Sequence, residues 1–258
     1  MFHKLFRKMG MILCTIGAVL LLCPYLVGFY LDYEKDKVIE SFDVSVNQES
    51  GKISDSEKKT IEMSREKDAL YMKMKAYNER IYGEKQSGIK NSASFEILPE
   101  ELESIGDEPV GYVEIPSIDV KLPLYIGTTE EHLAKGAAIL SNTSMPVGGE
   151  NTNCVIAAHR GYYSSKYFKD IEQVKKGDTV LVTNLWETRS YTVTGFDIIN
   201  PQDENKIRIQ EGRELVTLLT CHPYQSNGKF RYLVFCEPES TEKTCVYMKQ
   251  ILKIYPLS

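Results

Sequence analysis

The stretch "LVTLLTCHPYQSNGKFRYLVF", Leu215–Phe235, decides how the rest of the chain is read. Two apolar runs rich in β-branched and aromatic residues flank a polar loop with Pro223 and Gly228, the pattern of neighbouring strands joined by a turn. The first run stops on Cys221 and the second opens on Arg231. A buried strand that ends in a thiol, beside one that begins with a guanidinium, is either packing or chemistry.

Working outward, runs of the same texture recur at "YVEIPSIDVKLPLYIG" (Tyr112–Gly127), "CVIAAH" (Cys154–His159), "DTVLVTN" (Asp178–Asn184) and "RSYTVTGFDII" (Arg189–Ile199). Between the second and third lies "SSKYFKDIEQVKKGD" (Ser164–Asp178), a short helical piece with a glycine stop. Strands this frequent, separated by turns, indicate a mostly β domain, an antiparallel or mixed β-barrel with a few short helices. Upstream, "SDSE" (Ser54–Glu57) has the capping-box spacing. Met63, Leu70, Met74, Tyr77 and Ile81 then form one apolar stripe, which predicts a helix over 54–82 packing on the main domain, with Gly83 as its stop. Residues 32–53 read as a polar linker, and "GEKQSGIKNSAS" (Gly83–Ser94) as a flexible connection.

The N-terminus has its own character. Lys4, Arg7 and Lys8 precede an uncharged run from Met9 to Leu31, and Asp32, Glu34 and Asp36 follow it. At ~1.5 Å per residue that run crosses a hydrocarbon core of roughly 30 Å. Basic residues favour the cytoplasmic side, which predicts an anchor with its N-terminus inside and the remainder outside. The apolar run exceeds the usual length of a signal-peptide core and lacks a small-residue cleavage site. Net charge is −5, without basic blocks in the body of the chain, so nucleic acid is excluded as a partner. No paired Cys/His spacing suggests a metal site, and no cofactor is called for.

Cys14 and Cys23 fall in the apolar run, and Cys154, Cys221, Cys236 and Cys245 fall outside it, where disulfides are permitted. A Cys236–Cys245 pair is one such option. Cys154 opens an apolar strand without polar company and reads as packing. Cys221 stands at a strand end, where loops present functional groups on a rigid scaffold. A thiol with an ordinary pKa of about 8.5 needs a partner to react near neutral pH. His222 adjoins it, but successive strand residues point to opposite faces. His159 ends its own strand as Cys221 does, so two strand ends can bring them together. His132, in "TTEEHLAK", reads as a surface residue. Arg231 is either a solvated residue with a covered stem or a fixed cation beside the thiol, and spacing alone leaves both open.

"TLLTC" (Thr217–Cys221) followed by Arg231 resembles the sortase signature, and "AAHRG" (Ala157–Gly161) resembles that family's histidine segment. "EIPSIDVKLPLYIGTTEEHLAKGAA" and "MPVGGENTNCVIAAHRGYYSSKYFKDI" are most similar to the class C, pilin-polymerising sortases. The resemblance covers roughly Val110 to Pro238. It implies a sortase-like closed β-barrel, with Cys221 as nucleophile, His159 as acid/base partner and Arg231 as substrate and oxyanion clamp. Leu218 and Thr220 of the same motif are then expected to bind substrate. Partners would be pilins or surface proteins bearing an L-P-x-T-G-like sorting signal, and an acceptor amine from a pilin lysine or a cell-wall precursor. The place of action implied is the outer face of a Gram-positive cell membrane. Two family features are missing from the sequence: a lid with an Asp-Pro-aromatic motif, and a second apolar span at the C-terminus. The resulting layout is a cytoplasmic tail (1–8), anchor (9–31), linker and helix region (32–109), catalytic barrel (110–238) and C-terminal tail (239–258).

Overall fold

A computed structural model describes residues 2–47, 57–89, 102, 105–162, 165–225 and 228–239. Two long helices, α1 (Phe2–Asn47) and α2 (Glu57–Gly83), precede eight strands. The strands are β1 (Gly111–Ile115), β2 (Val120–Ile126), β3 (Ala137–Ile139), β4 (Thr152–Ala157), β5 (Thr179–Asn184), β6 (Thr188–Ile199), β7 (Glu214–His222) and β8 (Phe230–Pro238), with a short helix α3 (Glu130–Lys135) between β2 and β3. They close into a barrel in the order β1-β2-β3-β4-β7-β8-β6-β5, with β5 returning to β1. The β2–β3 and β4–β7 pairs are parallel and the rest antiparallel, so the barrel is mixed, as the strand spacing allows.

Alternation along β4 and β7 sorts their side chains between two apolar clusters. Cys154, Ile156, Val216 and Leu218 face the barrel interior with Val113, Leu122 and Val234. Val155, Ala157 and Leu219 face outward into a second cluster with Leu133 of α3, Leu233 of β8, and Ile199 and Ile207. This explains why every residue of β4 is buried. A strand covered on both faces reads as a continuous apolar run rather than an alternating one.

The α2 stripe packs as its spacing predicts: Met74, Tyr77 and Ile81 are buried in the main cluster and Leu70 lies against it. The helix stops at Gly83. Asn78 fastens it, donating to Met145 O at 3.2 Å and accepting from Met145 N at 2.7 Å. The capping segment before α2 and the side chain of Met63 lie outside the described residues, as does 90–101, where a lid would fall. Residues 84–89 are a tight corner rather than a flexible connection. Gln86 is buried there, donating to Asn142 O and accepting from Ile209 N.

The expected linker at 32–53 is helical as far as Asn47, because it carries a second stripe. Lys35, Ile39 and Phe42 are buried at helical spacing. Phe42 meets Tyr112 edge-on at 6.1 Å. Lys35 is the residue that hid this stripe: its ammonium pairs with Asp32 at 2.7 Å, donates to Ser165 Oγ, and sits over the Tyr167 ring at 4.2 Å. A lysine counts as polar in sequence, but its burial is satisfied by partners far along the chain. The N-terminal part of α1 is exposed, and Arg7–Val46 is long and apolar enough to cross a membrane. Pro24 lies inside it without ending it.

Candidate active site

The parallel register of β4 and β7 positions the site. Ala157 lies opposite Leu219 in that ladder. The pairing runs on past the strand end, since Ala158 N donates to Leu219 O at 3.2 Å and Thr220 Oγ1 donates to Ala158 O at 2.7 Å. His159 lies two residues beyond Ala157, as Cys221 lies two beyond Leu219. On the other side of β7, Cys221 is the direct cross-strand partner of Arg231. Neighbouring strands lie roughly 4.8 Å apart and alternate residues share a face. Cys221 and Arg231 therefore face each other across β7 and β8, and His159 follows the end of the adjoining strand β4.

Arg231 Nη1 is 3.8 Å from Cys221 Sγ. The same nitrogen donates to Gly228 O at 2.8 Å and Phe230 O at 3.2 Å. Gly228 has φ +75°, and a Cβ there would come within 2.9 Å of Arg231 Nη1 and 3.4 Å of Cys221 Sγ. Glycine is needed both for that backbone conformation and for the close approach. Of the described cysteines in the barrel, Cys154 and Cys236 are buried free thiols whose pKa burial pushes up, and both are poorly suited to react. Cys221 is free and partly exposed. Cys245 lies outside the described residues.

The His159 ring stacks on Tyr162, with centroids 4.9 Å apart and planes 8° from parallel, and meets Tyr167 edge-on. Burial lowers its pKa below the ordinary histidine value, opposed by the negative charge of Glu130. Its imidazole is therefore neutral around neutral pH. Among the described residues no hydrogen bond joins it to Cys221; catalytic contacts often tighten only when substrate is bound.

Three expectations are corrected. Leu218 is 0% exposed and packs inside the barrel, because alternation turns it away from the face that carries Cys221. Thr220 is 1% exposed, with its hydroxyl spent on Ala158 O. Neither presents a side chain to a substrate; Thr220 instead ties the end of β4 to β7. His132 is no surface residue either: it is 4% exposed, stacks on Tyr125 and has Nδ1 2.8 Å from Gly127 O. Its partner Asp107 lies on the segment leading into β1, 3.3 Å from Nε2, which no local pattern reveals.

Behind Cys221 is a polar cluster that spacing did not single out. Arg160, adjacent to His159, donates through Nη1 to Cys221 O at 3.2 Å and pairs through Nη2 with Glu172 at 2.8 Å. Glu172 is also 2.8 Å from His222 Nδ1. Adjacency of Arg160 to His159 was the one available signal; Glu172 offered none. A cleft of about 500 Å³ lies between α1 and β2, lined by Asp32, Lys35, Lys121 and Tyr167 among others. His159, Cys221 and Arg231 are not part of its lining, so volume is a poor guide to the chemistry here.

Comparison with known proteins identifies the family. The sortase domain family matches residues 113–239. A sortase C structure from Streptococcus pneumoniae is 34% identical, covering 79% of this chain and 97% of that one, with a TM-score of 0.66. A Clostridium perfringens sortase C structure containing the C-terminal cell wall sorting motif is 33% identical, covering 79% and 98%, with a TM-score of 0.63. Sortase A of Bacillus anthracis is 31% identical over 125 residues, 48% of this chain and 57% of that protein. The chain belongs to the sortase family, cysteine transpeptidases, and its structural neighbours are of class C.

Proposed function

We propose that this sortase is a membrane-anchored transpeptidase that joins pilin subunits, with Cys221 as nucleophile, His159 as acid/base partner and Arg231 as clamp. The observation that carries the reading is the direct pairing of Cys221 with Arg231 across β7 and β8, the guanidinium 3.8 Å from the sulfur, beside the end of β4 that His159 follows. Cys221 attacks the threonine carbonyl of an L-P-x-T-G-like signal, and neutral His159 takes the thiol proton. Arg231 stabilises the oxyanion that forms. As the Thr–Gly C–N bond breaks, His159 gives that proton to the glycine nitrogen and a thioester remains on Cys221. An incoming primary amine then attacks the thioester. His159 takes the amine's proton, the C–S bond breaks and the proton returns to the thiol.

Two findings support the finer parts of the reading. The Streptococcus pneumoniae relative is described in terms of pilin substrate specificity, which favours a pilin lysine as the amine over a cell-wall precursor. The second half of α1 is packed on the barrel through Lys35, Ile39 and Phe42, so the apolar helix continues into the catalytic domain. An uncleaved anchor with the N-terminus inside fits both that continuity and the basic residues before the span.

The test is a competition for the acyl-enzyme. Thioester formed on the full-length protein in detergent is offered a lysine-bearing pilin domain and a cell-wall-type oligoglycine amine together. Transfer predominantly to the pilin lysine is expected; transfer to the oligoglycine alone would replace polymerisation by anchoring.

A further inference from the structure

The face of β7 opposite the thiol carries charged groups that the proposed reaction does not use. Alternation sends Thr220 and His222 to this face, with Tyr232 of β8 beside them. The His222 and Tyr232 rings are 5.8 Å apart. Arg160 reaches the same face from the residue after His159 and is 7% exposed. Its Nε donates to Lys169 O at 3.2 Å, Nη1 donates to Cys221 O at 3.2 Å, and Nη2 pairs with Glu172. The guanidinium also lies 5.8 Å from the Tyr232 ring. Buried guanidinium groups are held this way when planar, multipoint geometry matters.

His222 Nδ1 lies 2.8 Å from Glu172 Oε1 and 3.3 Å from Arg160 Nη1. One ring nitrogen cannot both donate and accept, and the shorter contact with a carboxylate assigns the proton to Nδ1. Glu172 is an anion in this setting, because the hydrogen bond from Arg160 holds its carboxyl below the usual range. Arg160 and Glu172 thus form an ion pair, to which His222 donates through Nδ1, on the reverse of the strand that carries Cys221.

We infer that Arg160, Glu172 and His222 form an ionic strut that sets the spacing of His159 and Cys221. A single side chain, Arg160, belongs to the main chain next to His159 and grips the carbonyl of Cys221. It couples the two strand ends whose separation decides proton transfer. Thr220 couples them one residue earlier through Ala158 O, but by a neutral bond without the charge network. These are positioning residues. His222, with Nδ1 committed to Glu172 and its ring on the reverse face, does not act as the acid/base group. What the positioned residues accomplish rests on the proposed function; the strut itself does not.

The test uses full-length protein in detergent: wild type, Arg160→Met and Glu172→Gln. Two quantities are measured, the kinetics of acylation by an L-P-x-T-G-like peptide and amide hydrogen exchange of the segments 158–161 and 220–222. Arg160→Met is expected to lower kcat by about 10–100-fold with KM within roughly twofold, the signature of misaligned reacting groups rather than lost binding. Glu172→Gln, which keeps the shape and loses the charge, is expected to lower kcat by a smaller factor. Exchange should rise at both segments while the rest of the barrel stays protected. An unchanged kcat, or a raised KM with kcat intact, would overturn the strut. Should the wild type form no adduct, the catalytic reading fails and exchange alone decides: a rise at both segments in Arg160→Met supports the strut, and no rise overturns it. If Arg160→Met does not fold, Glu172→Gln and His222→Phe carry the same comparison.

Discussion

The thiol face of β7 and its reverse hold their charged groups in different ways. On the thiol face, half-buried Arg231 lends one nitrogen to the carbonyls of Gly228 and Phe230 and stands 3.8 Å from the sulfur, and the His159 ring is stacked on Tyr162 without a side-chain hydrogen bond among the described residues. On the reverse, Arg160 is buried and bonded through Nε, Nη1 and Nη2, and Glu172 bridges it to His222. On the proposed reading, groups that exchange partners during the reaction are thinly bonded, and groups that hold geometry are saturated. The same division separates the two histidines near Cys221. His222 has a carboxylate at 2.8 Å and lies on the face opposite the thiol, whereas among the described residues His159 has no carboxylate hydrogen bond and feels Glu130 only through its charge.

The strongest way to break that comparison is to exchange the roles of its members. Cys221→Ala should abolish thioester formation, and His159→Ala should reduce acylation by more than ~10³-fold, given that general acid–base catalysis contributes up to ~10⁴-fold. His222→Phe should retain acylation within about tenfold, an effect of position only. Equal losses at the two histidines, in single-turnover measurements, would end the distinction between the faces.

Arg231→Lys is expected to come next, with a fall in acylation of ~10²-fold, because a lysine keeps the charge but loses the planar array of donors. A thermal melt should be nearly unchanged, since among the described residues the guanidinium's oxygen partners are two nearby main-chain carbonyls, Gly228 O and Phe230 O. A variant that melts early while reacting at the native rate would make Arg231 structural.

Thr220→Val sharpens the boundary between the faces. It removes the donor to Ala158 O and leaves a buried carbonyl short of a partner, at a cost of about 1–3 kcal/mol. Denaturant unfolding measures this directly. Stability equal to wild type would mean that the hydroxyl does not tie β4 to β7.

The smallest effect concerns protonation. Tyr162→Ala uncovers His159, so its pKa should rise toward the ordinary histidine value, as read by NMR titration. In the native protein burial depresses this pKa. The folded state therefore binds fewer protons than the unfolded state between the depressed value and about 6.5, and stability is lost as pH falls through that window. Acylation should fall over the same window as the neutral imidazole disappears. A pKa unmoved by Tyr162→Ala would show that stacking does not desolvate the ring.

Much of the barrel is legible in the sequence because strand texture and turn residues are local. The Cys221–Arg231 pair is legible because a short loop forces the two strands to be neighbours, and His159 because it sits at a comparable strand end. What escapes is whatever depends on a partner distant in the chain. Lys35 looks solvated until Ser165 and Tyr167 are beside it, and so the docked half of α1 reads as a linker. His132 looks exposed until Asp107 and Gly127 O enclose it. Leu218 and Thr220 belong to the signature, yet alternation turns them into the barrel. Glu172 carries no signal at all, since its role exists only where the chain after β4 passes behind β7.

The most direct measurement is intact-mass analysis of the full-length protein in detergent after incubation with an L-P-x-T-G-like peptide, followed by mapping of the modified residue. The account predicts one acyl adduct, on Cys221, lost in Cys221→Ala and in His159→Ala but formed in His222→Phe. An adduct on any other residue, or one that forms without His159 and not without His222, would contradict it.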